Sequence, residues 1–181
     1  MSSLRQSIET YIAAKDCNRP HLIFDAFTDE AELVMNVKTS EISFPNSVKG
    51  ADAISNVLVS QFALQYENVY TFCIGKPPEN ELSLHCHWLV CMTEKRTGAA
   101  RAGFGQYQWD FDDTRGKISK LQITIEEMNT LPVPCSAPIL AWARSLPYPW
   151  CPSTVPARDA PAFEPVRRIA QVLKALAATS G

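Results

Sequence analysis

The sequence predicts an α+β fold in which helices of the N-terminal half pack on a mostly antiparallel sheet, followed by a proline-rich extension. Three observations predict it. Leu4, Ile8, Tyr11 and Ile12 recur at helical spacing near the start of the chain. Between residues 68 and 127, four strand-like segments follow one another, separated only by short polar turns. Prolines then stand at 132, 134, 138, 147, 149, 152, 156, 161 and 165, which rules out a continuous sheet over that stretch. Strands in direct succession after helices imply α+β rather than an alternating α/β order.

The first helix is expected over residues 3–16, and Asn18, Arg19 and Pro20 end it. Pro20 suits the first turn of a short second helix over about 20–27, carrying Leu22, Ile23, Phe24 and Phe27. Residues 32–38 read as a strand with Leu33, Met35 and Val37 on one face, and residues 41–44 as a second short strand stopped by Pro45. After Gly50 a third helix runs to about Phe62, with Ile54, Val57, Leu58 and Phe62 along one side.

The four later strands are expected at 68–74, 82–93, 100–111 and 118–127. In the last, Leu121, Ile123 and Ile125 alternate with polar residues. In the second, Leu84, Cys86, Trp88, Val90 and Met92 form an apolar face, while Ser83, His85, His87 and Thr93 lie opposite, with Leu89 and Cys91 among them. Gly103 and Gly105 inside the third mark a bend or a close approach. The chain thus divides into a domain of residues 1–128 and an extension of residues 129–181. In the extension, residues 139–146 and a segment starting at Pro165 read as helices, the latter with Val166, Ile169, Ala170, Leu173 and Leu176 on one stripe. Trp142, Tyr148 and Trp150 are costly to expose, so the extension is expected to pack on the domain or on a second subunit.

With 17 basic and 19 acidic residues the net charge is −2, which offers no footprint for nucleic acid or an anionic membrane. No apolar run approaches the roughly 20 residues of a bilayer span. The N-terminus lacks the pattern of a signal peptide, so a cytoplasmic location is expected. The six cysteines have no zinc-ligand spacing and read as small buried hydrophobes, with a Cys135–Cys151 bridge as the alternative for that pair. No nucleophile elbow, phosphate loop or dinucleotide fingerprint is present, and no cofactor is expected.

The order helix, helix, strand, helix, strand meander resembles the nuclear-transport-factor-2-like superfamily, the cystatin-like cone, and in particular its SnoaL-like polyketide cyclase and ketosteroid isomerase-type branch. The likeness rests on Tyr11–Asp16 followed by Phe27–Leu33, on Val48–Ile54 around Gly50, and on Gly105–Asp110 with Gly116–Ile118. It implies a cone-shaped domain whose strongly curved sheet wraps three helices around a pocket for a small molecule. It also implies a homodimer formed through the open sheet, and, where such a protein is an enzyme, cofactor-independent isomerisation, dehydration or cyclisation by proton transfer. A non-catalytic binding or dimerisation module of the same fold is the alternative.

Tyr11, Phe27, Trp88, Tyr107 and Trp109 are the candidate ligand-binding residues, lining a cavity for a flat, mainly apolar ligand, with ordinary core packing the alternative for any one of the aromatics. Tyr11 or Tyr107 would donate a hydrogen bond to a ligand carbonyl. His85 and His87 are the acid/base candidates, because imidazole titrates near physiological pH. Against that role, they share the polar face of a strand whose apolar face is the more natural pocket wall. A metal on this pair lacks the expected carboxylate four or five residues on, since positions 91 and 92 are Cys and Met, and the only third histidine, His21, lies on the second helix. Asp16, Asp25 and Asp29 read as caps or solvated groups, and Asp110 and Glu126 as surface acids that pair across a subunit boundary.

Overall fold

The computed structural model describes residues 2–179. Helix α1 (Leu4–Asp16) is opened by a reciprocal cap: the Gln6 N–H donates to the Ser3 hydroxyl, and the Ser3 N–H to the Gln6 side chain. Its stripe of Leu4, Ile8, Tyr11 and Ile12 is buried. A 3₁₀ turn at Pro20–Leu22 leads into α2 (Ile23–Ala26), and the chain enters β1 (Phe27–Val37) without a loop.

The strand expected at residues 41–44 does not form. Pro45 cuts the segment off, and the short strand lies beyond it, as β2 (Ser47–Lys49) paired with β1. Gly50 then turns the chain at φ +97° and donates its N–H to the Ala31 carbonyl (2.7 Å). The third helix runs through Ala51–Ser55 (α3), a π-helical stretch at Asn56–Gln61, and Phe62–Gln65 (α4).

Strands β3 (Tyr66–Ile74), β4 (Ser83–Glu94), β5 (Ala100–Asp112) and β6 (Lys117–Leu131) form the meander. The extension supplies α5 (Ser136–Ser145), a two-residue strand β7 (Trp150–Cys151) and α6 (Glu164–Thr179). The sheet order is β2-β1-β6-β5-β4-β3-β7, with β1–β6 and β3–β7 parallel and the other pairs antiparallel. Among the described residues after Leu131, where the prolines stand, only the two of β7 join the sheet, pairing along the free edge of β3.

The sheet is buried on two sides. Helices α1 to α4 cover the concave face, where Leu33, Trp88, Tyr107, Trp109 and Ile123 point inward. On the outer face, Phe72, Leu89, Cys91, Ala102 and Phe104 make a second core with Ile139, Trp142, Val166, Ile169 and Leu173 of α5 and α6. This second core accounts for Leu89 and Cys91 among the polar positions of β4. Burying each such aliphatic side chain is worth about 1.5–3 kcal/mol. The ion pair of Arg168 with Glu127 adds at most about 1 kcal/mol in its half-exposed position, so the apolar stripe is what holds α6. The outer surface on which the sequence resemblance expects a second subunit is thus covered, in its apolar part, by the same chain.

Two glycines permit the curvature. A Cβ on Gly105 would stand 1.9 Å from the Thr124 carbonyl oxygen, and one on Gly103 would stand 2.5 Å from that of Glu127. The β5–β6 register shifts between Phe104 and Gly105. Bend and close approach coincide here. All six cysteines are free thiols, four of them buried, and Cys135 and Cys151 are not bridged. Among the described residues, no helix is long and apolar enough to cross a membrane.

Candidate ligand site

Between the concave face and the helices lies a small cavity of about 40 Å³. Its walls are the even-numbered face of β4 (Trp88, Val90, Met92) and the inner residues Met35, Ile123 and Ile125. Loop residues Ile42 and Phe44 and helix residue Phe62 close it, and the same three border a groove that opens to the surface. Arg101 latches this loop from outside. It donates to the Glu41 carbonyl and to Glu94 (2.8 Å), and its guanidinium lies 5.6 Å from the centre of the Tyr66 ring.

The polar groups gather at one end. Lys15 and Tyr11 stand four residues apart on one face of α1, and both line the cavity. The Lys15 ammonium donates to the Thr71 hydroxyl (2.6 Å) and to Asp16 Oδ1 (3.3 Å), and lies 4.8 Å from the centre of the Phe62 ring. Asp16, with a side chain only 2% exposed, accepts four hydrogen bonds. Oδ1 takes the Thr71 hydroxyl (2.8 Å) and Lys15, while Oδ2 takes the Thr71 N–H (2.8 Å) and the Tyr148 hydroxyl (2.7 Å). A carboxylate has about four lone-pair positions, so all of Asp16's capacity is used. The ammonium has two protein partners and three protons, which leaves one N–H for a guest.

Two further donors border the cavity without a partner among the described residues: the Tyr11 hydroxyl and Trp88 Nε1. Tyr107 lies next to Tyr11, ring centroids 6.3 Å apart, yet no bond of ordinary geometry satisfies the Tyr11 hydroxyl. Burial pushes the Tyr11 phenol well above its ordinary pKa, against a smaller lowering by Tyr107. Burial first, and then the Tyr11 neighbour, does the same to Tyr107. Both phenols stay protonated and act as donors.

Of the five predicted ligand residues, Tyr11, Trp88 and Tyr107 line the cavity. Phe27 and Trp109 do not. They are wholly buried behind Tyr11, edge-on to its ring at 5.8 and 5.4 Å, and serve as the core that fixes it. His85 and His87 lie on the opposite face of β4, so neither is an acid or base inside the cavity. His85 Nε2 meets Gln106 Oε1 at 2.7 Å, Gln106 donates to Glu126, and Lys38 also donates to Glu126 (3.1 Å). Burial first, and then His85, lowers the pKa of His87. Glu126 thus has its partners within the chain. Asp25 and Asp29 are exposed, as expected, whereas Asp16 is neither a cap nor solvated. Sequence reasoning missed Lys15, Thr71 and Tyr148. The one available signal was the four-residue spacing of Tyr11 and Lys15, which sets an ammonium beside the phenol.

Comparison with solved structures bears on this architecture. An NTF2-like protein from Burkholderia thailandensis superimposes with a TM-score of 0.54 at 14% identity, over 80% of this chain and 99% of that one. An NTF2-like superfamily protein from Salmonella enterica does so at 0.53 and 14%, over 68% and 92%. The fold is NTF2-like. A Catenulispora acidiphila protein of ketosteroid isomerase-like fold, solved with trimethylamine, superimposes with a TM-score of 0.53 at 14% identity, over 65% of this chain and 83% of its own. No protein-family model matches the sequence, and no curated protein does. These matches cover most of each neighbour and between 65% and 80% of this chain.

Proposed function

We propose that the protein binds a flat, mainly apolar small molecule carrying a carbonyl or similar acceptor oxygen, held in the NTF2-like cavity with that oxygen toward Lys15, Tyr11 and Tyr107. The observation that carries this reading is the pairing of apolar walls with orphaned donors. A buried hydroxyl or indole N–H without a partner costs about 1–3 kcal/mol, and a ligand oxygen placed among them recovers it. The apolar lining suits an apolar compound rather than a sugar or nucleotide, and with about 40 Å³ of enclosed space a ring compound enters only as Ile42, Phe44 and Phe62 give way.

The chemistry read from the site is binding rather than proton transfer. A proton-transfer reaction of the isomerase or cyclase kind needs a base with a free lone pair facing the guest. Asp16, the carboxylate bonded to Lys15, does not line the cavity and has all its positions occupied, and the imidazoles of His85 and His87 face outward. The donor cluster stabilises a carbonyl oxygen, which is the binding half of such chemistry without the abstracting half.

The test is a thermal-shift screen against steroid ketones, aromatic polyketide-like ketones and lactones. A ligand at about 100 times its dissociation constant adds roughly 2.7 kcal/mol and raises the midpoint visibly. The expected result is a saturable shift with ketones that Lys15→Met weakens. Silence across the panel would remove the ligand-site reading, and a saturable ligand turned over by the protein would restore the catalytic one.

A further inference from the structure

We propose that Tyr148, a residue of the C-terminal extension, is a positioning residue of the cavity: by donating to Asp16 it fixes the carboxylate that aims the Lys15 ammonium inward. The inference rests on the reading of the cavity as a carbonyl site. It gives the extension a part in that site, although no residue of the extension lines the cavity.

Tyr148 reaches Asp16 across 132 residues of chain, and its own place is fixed from three sides. Its ring stands edge-on to Tyr70 and Phe72, at 6.3 and 5.7 Å between centroids. The backbone that follows is stitched to β3, with the Cys73 N–H donating to the Pro149 carbonyl (2.7 Å) and the Gly75 N–H to that of Cys151 (2.9 Å). Two residues on, the Trp150 indole donates to Glu9 on α1 (2.9 Å). The hydroxyl therefore arrives at Asp16 Oδ2 from a rigid frame. Together with the Thr71 N–H it occupies both lone-pair positions of that oxygen, leaving Oδ1 to Lys15 and the Thr71 hydroxyl. Without Tyr148, Oδ2 has a free position, the carboxylate can turn, and Lys15 can follow it away from the cavity. Burial first, and then Asp16, pushes the Tyr148 phenol above its ordinary pKa, so it remains a donor.

The experiment compares two probes of similar shape, 1-tetralone and tetralin, on the full-length protein by calorimetry. Wild type is expected to prefer the ketone. Tyr148→Phe keeps the ring and is expected to lose about tenfold of that preference, with tetralin affinity held within about twofold, because a hydrogen bond to a charged group is at stake. Trp150→Phe cuts the other polar tie of the extension to α1 and is expected to keep the wild-type preference. A general loosening of the extension would affect both variants alike, and that result overturns the proposal. Should Tyr148→Phe not fold, 4-fluorophenylalanine and 4-aminophenylalanine at position 148 make the same comparison, since only the amine can donate.

Nitrogen-15 spectra of the lysine side chains give a second readout that needs no ligand. The Lys15 ammonium signal, protected from exchange in wild type and in Trp150→Phe, is expected to broaden or disappear in Tyr148→Phe. An unchanged signal overturns the proposal. If wild type shows no ketone preference while the Lys15 signal depends on Tyr148, the carbonyl reading falls and the positioning role stands.

Discussion

Gly105 passes so close to Thr124 that a side-chain carbon built on the glycine would stand 1.9 Å from the Thr124 carbonyl oxygen, well inside any van der Waals contact. The obstacle is backbone and cannot rotate away. Gly105→Ala therefore has to push β5 and β6 apart at the point where the sheet bends, and a loss above about 3 kcal/mol is expected. At Gly103 the nearest obstacles are the Glu127 carbonyl at 2.5 Å and the flexible Met128 side chain, so Gly103→Ala is expected to cost less. Urea unfolding of the two variants checks the order. Equal losses would mean that the bend does not depend on the Gly105 contact.

That bend was half legible in the sequence. Two glycines inside a strand announced it, and the alternation of Leu121, Ile123 and Ile125 announced the buried face beneath. The aromatic lining was legible for a related reason: Trp88 shares the apolar side of β4, and Tyr11 belongs to a helical stripe. What the pattern could not supply is depth. Phe27 and Trp109 have the same character as Tyr11 and Tyr107 but sit one layer further from the cavity, a difference set by packing rather than periodicity. The polar end was hidden for another reason. Asp16 meets Thr71 at a separation of 55 residues and Tyr148 at 132, and nothing local to Asp16 distinguishes a buried carboxylate from a helix-end acid.

The Arg168–Glu127 pair ties α6 to β6 and carries a pH dependence of defined sign. Burial raises the Glu127 pKa, but the hydrogen bonds from Arg168 and Asn129 outweigh it and hold the carboxyl below its ordinary value near 4.5. A carboxyl with a depressed folded-state pKa contributes stability above its unfolded pKa, and that contribution is lost as pH falls through the folded value. Arg168→Met is thus expected to lower the thermal midpoint by about 1–3 °C at pH 7, as for a half-exposed pair. The difference from wild type should shrink toward zero by pH 3. A gap that stays constant across this range would mean that Arg168 acts through packing alone.

The second core makes the extension an integral cover of the sheet. Ile169 and Leu173 are each 1% exposed, within the apolar cluster that also holds Leu89 and Phe104. Placing aspartate at both positions is expected to detach α6 and bare an apolar sheet face, a surface that drives association. Sedimentation velocity should show the double variant shifting to larger species than wild type at equal concentration, with increased binding of a hydrophobic dye. A variant that sediments as wild type does would show that α6 contributes little to covering the sheet.

Tyr11 should trade stability for binding. Its ring packs against Phe27, Tyr107 and Trp109, while its hydroxyl is buried without a partner among the described residues. Tyr11→Phe keeps the ring contacts and removes the unsatisfied group, so an increase in unfolding free energy of about 1 kcal/mol is expected. The same change deletes a donor from the cavity, and affinity for 1-tetralone should fall by about three- to tenfold while that for tetralin holds. Both halves are needed. A variant that loses stability would show that the hydroxyl is satisfied in the free protein. A gain in stability with unchanged ketone affinity would place the ligand oxygen at Lys15 and Tyr107 instead of Tyr11.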